Sequence, residues 1–117
     1  MQPLKLCSLN DLPDQGAKGI VIGSGLEQFR YIVVRDRGDI RCYINRCPHM
    51  GTPLDTFPDK FLDEKHEFLV CSTHGARFGL ADGVCVSGPC VGLGLAPCQI
   101  LVSEGQVYLM AQPADIF

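Results

Sequence analysis

Two short motifs hold the residues best suited to chemistry, Cys47-Pro48-His49 and Cys71-Ser72-Thr73-His74. Each pairs one soft thiolate with one imidazole at close range. Contributed as Cys-x-His and Cys-x-x-His, they form a donor set for a 2Fe–2S cluster, with the cysteines on one iron and the histidines on the other. Tetrahedral zinc is the rival, because two cysteines and two histidines also satisfy that ion. Structural zinc motifs usually pair cysteine with cysteine and histidine with histidine, so the local spacing favours the iron–sulfur reading. The third histidine, His66, sits among charged residues and reads as an ordinary surface side chain.

No single strand can place four ligands around two irons, so the chain has to deliver two loops to one place. Short strands and turns fill most of the sequence. Gly19-Ile20-Val21-Ile22 ends in Gly23-Ser24-Gly25, Phe29 to Val34 runs to the turn Asp36-Arg37-Gly38-Asp39, and Arg41-Cys42-Tyr43-Ile44 follows. These segments predict an antiparallel meander that hands the chain to the first motif. Glu67 to Val70 leads into the second motif and Arg77 to Leu80 leaves it. Asp82-Gly83 marks a hairpin, and Gln99 to Val102, Glu104-Gly105 and Val107 to Met110 predict another. Asn10-Asp11-Leu12-Pro13 suits one helical turn at most. Gly23-Ser24-Gly25 reads as a turn and not as a dinucleotide fingerprint, since Gln28 stands where a third glycine is needed and no helix follows. The expectation is an all-β fold, an antiparallel sandwich or partial barrel. It is one domain over residues 1–117, with cluster-binding loops at about 46–56 and 71–80 at one end.

Bulk properties narrow the function classes. A chain of 117 residues, 46% hydrophobic and 20% charged, has the composition of a globular domain with a core of its own. The net charge of −3 and the lack of a basic stripe argue against nucleic acid. No segment reaches the roughly 20 apolar residues that span a bilayer, and the N-terminus lacks the layout of a signal peptide. A cytoplasmic protein without a membrane partner is expected. Seven cysteines are an odd number for a disulfide scaffold. Beyond the two motifs, Cys7, Cys42, Cys85, Cys90 and Cys98 read as small buried hydrophobes, with a Cys85–Cys90 bridge left open.

The stretches Cys47-Pro48-His49-Met50-Gly51-Thr52-Pro53-Leu54 and Cys71-Ser72-Thr73-His74-Gly75-Ala76-Arg77-Phe78 resemble the Rieske family in both halves, and the resemblance covers roughly residues 30 to 110. It implies one 2Fe–2S cluster with Cys47 and Cys71 on the inner iron and His49 and His74 on the outer one. Gly88-Pro89 resembles the family's proline-bearing loop. The 21 residues between His49 and Cys71 make a long gap, consistent with a small insertion around Asp59 to Glu64. The acidic stretch from Asp55 to Glu67 reads as a solvated loop.

Departures from the high-potential branch carry a physical consequence. Its inter-loop disulfide is replaced by Thr52 and Thr73, and its hydroxyl donors to cluster sulfur by Ala76 and Phe78. Donors aimed at sulfur stabilise the extra electron, so their loss lowers the potential, by on the order of 100 mV for two. The expected cluster is low-potential, toward about −150 mV. Reduction also adds negative charge beside His49 and His74, so the midpoint should fall as pH rises.

The resemblance implies a one-electron carrier, not an enzyme, that passes electrons from a reductase to a terminal oxygenase or related redox enzyme. No direct small-molecule substrate is expected. A complete oxygenase needs a mononuclear iron held by two further histidines and a carboxylate, and only His66 remains. The alternatives are a permanently docked accessory redox subunit and a redox-sensing binding module. The absence of tryptophan, common after the second histidine in oxygenase-linked relatives, marks a less typical branch.

Overall fold

The computed structural model describes residues 4–23, 29–46, 48, 54, 61–71, 75–88 and 91–111. In chain order these form β1 (Leu4–Ser8), a 3₁₀ turn (Leu9–Asp11), β2 (Gly16–Ile22), β3 (Phe29–Asp36), β4 (Asp39–Ile44), β5 (Phe68–Val70), β6 (Arg77–Gly79), β7 (Cys85–Ser87), β8 (Gln99–Ser103) and β9 (Gln106–Ala111). No α-helix occurs among the described residues. The strands make three antiparallel three-stranded sheets, ordered β1-β9-β8, β2-β3-β4 and β5-β6-β7. The all-β antiparallel expectation holds, and the sheets remain separate rather than closing into a barrel.

The central sheet is the expected meander. β3 and β4 are joined at Arg37-Gly38, and β8 and β9 at Glu104-Gly105. All four of these turn residues have positive φ, from 52° to 86°. Two-residue turns of this kind match the twist of the flanking strands. The single helical turn expected near Asn10 is the 3₁₀ turn, capped by the Ser8 hydroxyl, which accepts from the Asn10 N–H.

Alternation along β3 and β4 divides the interior into two cores. Ile32, Val34 and Tyr43 point to one side, where they meet Leu54, Phe61, Leu69, Cys71, Ala76, Phe78, Leu80, Cys85 and Leu95. Tyr31, Val33, Cys42 and Ile44 point to the other, against Leu6, Cys7, Leu12, Val107 and Leu109. A strand buried on both faces needs no polar alternation, which explains the unbroken apolar run Tyr31-Ile32-Val33-Val34. The Tyr43 hydroxyl crosses the first core and donates to the Leu80 carbonyl at 2.8 Å. Burial pushes its pKa up to about 12, so it stays a neutral donor.

One strand lies where none was expected: β1 pairs with β9, joining the two ends of the chain. β7 is the second arm of the hairpin that Asp82-Gly83 marks, and it completes the β5-β6 sheet. The acidic stretch from Asp55 to Glu67 also needs correction. Phe61 is fully buried, Leu62 bridges to Leu69, and the Asp63 carboxylate accepts the N–H groups of Glu67 and Phe68. The described part of this stretch is therefore structural, although Glu64, Lys65, His66 and Glu67 are exposed.

Candidate metal centre

The first loop leaves the end of β4, where two backbone bonds and one side chain fix its base. Ile44 N–H donates to the Ala96 carbonyl, and Asn45 N–H donates to the Arg30 carbonyl, both at 2.9 Å. The Asn45 side-chain oxygen then accepts the Leu54 N–H at 2.8 Å. Asn45 is the one buried polar residue among those described, and Leu54 is fully buried. A buried N–H needs an acceptor, and the amide meets that need by clasping the two ends of the segment that carries Cys47 and His49. Those two residues lie outside the described part of the structure, as do Met50 to Pro53.

The second loop joins β5 to β6. Beyond the last rung, Val70 opposite Arg77, the Cys71 N–H donates to the Ala76 carbonyl at 2.9 Å. The Gly75 N–H donates to the Cys71 carbonyl at 2.8 Å. Cys71 and Ala76 are fully buried in the same core as Leu54. The bases of the two loops thus emerge from one patch of packing. His74 lies outside the described residues, so of the four expected ligands the structure places Cys71 alone.

A third segment leans on the second loop. Gly88 has φ +101°, and a Cβ there would fall 2.8 Å from Ala76 Cα. Only glycine permits that approach. Pro89 lies outside the described residues. Ala76 and Phe78, both fully buried, bring no hydroxyl to this region.

At the edge of this sheet, Arg77 donates to the Asp63 carboxylate at 3.2 Å. Desolvation raises the Asp63 pKa. The Glu67 and Phe68 N–H groups, with the charges of Arg77 and His66, outweigh it and hold the carboxyl below its ordinary value. His66 is exposed, and its Nδ1 lies 3.0 Å from the Gln15 carbonyl oxygen. It is tethered to a turn rather than turned toward Cys71. Cys85 is buried with its thiol directed to the Ser87 carbonyl at 3.2 Å, while Cys90, its suggested partner, lies outside the described residues. Sequence reasoning missed Asn45, Phe61 and Asp63. The one available signal was a lone amide directly after an apolar strand and two residues before the first cysteine.

The sequence matches the family described as Rieske [2Fe-2S] domain over residues 2–99. The chain belongs to the Rieske family. Its cofactor is accordingly one Rieske-type 2Fe–2S cluster, and zinc falls away as the rival. The described part of the cradle fits that group. Cys71 is pinned by its backbone within the core, and Asn45 and Leu54, which bracket Cys47 and His49 in sequence, are hydrogen-bonded to each other, with Leu54 in that same core. The match also starts well before the residues that suggested the resemblance, taking in β1 and β2.

Solved structures extend the likeness over nearly the whole chain. The ferredoxin of carbazole 1,9a-dioxygenase from Nocardioides aromaticivorans has a TM-score of 0.71 at 20% identity, covering 96% of this chain and 100% of its own. The Sphingomonas yanoikuyae ferredoxin has a TM-score of 0.70 at 22% identity, with the same coverage. A chain from a complex of reduced oxygenase and oxidized ferredoxin in carbazole 1,9a-dioxygenase has a TM-score of 0.72 at 20% identity, covering 97% of both chains. At these identities the likeness is one of fold. No curated protein matches the chain.

Proposed function

We propose that this Rieske protein is a one-electron carrier that accepts electrons from a reductase and delivers them to an oxygenase or related redox enzyme. When bound, the cluster supplies one reversible electron. Cys47 and Cys71 would hold one iron, and His49 and His74 the other. The Asn45 clasp and the Cys71–Ala76 bond would keep the two loops in register, so that the centre changes charge without the protein rearranging. The observation that carries this reading is the convergence of both loop bases on one core, in a fold that matches stand-alone ferredoxins end to end. No helix among the described residues is long and apolar enough to cross a membrane.

The electronic setting follows from Ala76 and Phe78. Neither can donate a hydroxyl hydrogen bond, which favours a low potential. The test is an electron paramagnetic resonance spectrum of the dithionite-reduced protein with iron, sulfide and zinc counts, followed by a redox titration across pH. Two irons, two sulfides, a spectrum of mixed nitrogen and sulfur ligation and a midpoint below zero are expected, with the midpoint falling as pH rises. A silent sample containing zinc would defeat the carrier reading, and a midpoint well above zero would defeat the low-potential reading alone.

A further inference from the structure

We infer that Cys42 and Cys98 form a reversible dithiol–disulfide site, separate from the metal centre and oxidised by a low-molecular-weight disulfide. Cys42 lies in β4, and Cys98 immediately precedes β8. The Cys98 N–H donates to the Cys42 carbonyl at 2.8 Å, and Tyr43 forms an antiparallel bridge with Pro97. That register sets Cys42 directly opposite Cys98 with both side chains on one face. Opposed residues in such a pair have Cα atoms about 5.5 Å apart or less, inside the range of about 4.4–6.8 Å that a disulfide accepts. Both side chains belong to the core beneath the central sheet, whereas Cys71 belongs to the core on the other side.

The two sulfurs are chemically unequal. They share a hydrogen bond, which holds the Cys98 thiol below its ordinary pKa and, with burial, pushes the Cys42 thiol up. Cys98 is half-buried and Cys42 buried. Both border a surface pocket of about 330 Å³ that also has Arg41, Asp82 and Pro97 in its wall. Of the two, Cys98 is the more exposed and the more acidic, so it is the nucleophile of the pair, and Cys42 beside it is the resolving group.

The exchange balances without help from the cluster. The Cys98 thiolate attacks one sulfur of the small disulfide, breaking its S–S bond and releasing one thiolate. Cys42 then gives up its proton and attacks the Cys98 sulfur, forming the Cys42–Cys98 bond and releasing the second small thiol. Two electrons pass from the protein pair to the reagent, which leaves as two thiols. A dithiol reductant reverses the sequence.

The test uses the cluster-loaded protein. It is incubated with glutathione disulfide, its remaining thiols are alkylated, and it is digested with trypsin and chymotrypsin without reduction for mass mapping. The expected product is a peptide pair joining Cys42 to Cys98, formed while the visible spectrum of the cluster is unchanged and lost on adding dithiothreitol. Cys98→Ser should leave Cys42 reduced, and Cys42→Ser should trap glutathione on Cys98. Mapping of the unsubstituted protein decides the matter should either variant fail to fold. Both thiols remaining alkylatable, glutathione held on Cys98 without transfer, a link from Cys42 to Cys7, or a link seen only as the cluster bleaches would each overturn the assignment.

Discussion

On one side of the central sheet, Tyr31, Val33, Cys42 and Ile44 meet β1, β8 and β9, strands of five or six residues drawn from the two ends of the chain. On the other, Ile32, Val34 and Tyr43 meet β5, β6 and β7, which have three residues each. Both sides bury comparable apolar residues, but they are fastened differently. The terminal side relies chiefly on ladder length, with Ser8 and Arg35 donating to the Gly105 and Leu12 carbonyls. The metal side supplements its short ladders with side-chain clamps: Tyr43 to Leu80, Asn45 to Leu54, Asp63 to Glu67 and Phe68, and Asp82 to Val84. Segments that present ligands cannot also be long strands, so polar side chains take over the work of backbone pairing there.

The comparison can be broken most severely at Cys71, the proposed ligand that the structure describes. Cys71→Ser should abolish the reduced-state resonance and most bound iron. Hydrogen exchange should then show lost protection in β5, β6 and β7 while β3 and β9 stay protected. Uniform loss from β1 to β9 would mean that the two sides are a single cooperative unit.

Core truncations on opposite sides come next. Phe78→Ala should cost about 3–5 kcal/mol and Leu109→Ala about 2–5 kcal/mol. Chemical denaturation would measure both. Iron occupancy should separate them, falling with Phe78→Ala and holding with Leu109→Ala among folded molecules. Asn45→Ala should cost about 1–3 kcal/mol by stranding the Leu54 N–H, and should speed iron loss to a chelator by more than its effect on stability alone accounts for.

The smallest effect is expected at Asp63. Its pKa in the folded protein lies below the unfolded value, so its contribution is complete above about pH 4. It is lost as pH falls through the folded-state value. Asp63→Asn should flatten the acid limb of the stability curve and leave the neutral region little changed. An unaltered acid limb would show that the Arg77 and backbone contacts contribute nothing measurable.

The central meander was legible because its strands are consecutive, apolar and punctuated by Arg37-Gly38 and its neighbours. Membership of the Rieske family was legible because paired Cys and His at those offsets have few other uses. β1 was not, since Leu4 finds its partner at Leu109 and no local pattern announces a pairing across the whole chain. β7 was legible only as the far arm of the Asp82-Gly83 hairpin, since three residues are too few to show a period. Phe61 was hidden by the charges on either side of it, which made its neighbourhood read as solvated. Asn45 looked like an ordinary loop residue, because a clasp is defined by what it reaches rather than by its own type.

The rung at Tyr43 and Pro97, flanked by the bonds from Ile44 to Ala96 and from Cys98 to Cys42, brings the chain back to the point from which it departed. Everything between, including both Cys/His motifs and β5 to β7, is topologically an excursion from a scaffold whose exit and entry are side by side. Such an excursion can be treated as a cassette. A segment from another Rieske protein could be grafted between Ile44 and Ala96 without rethreading the remaining strands, provided that it offers an apolar underside to cover Ile32, Val34 and Tyr43.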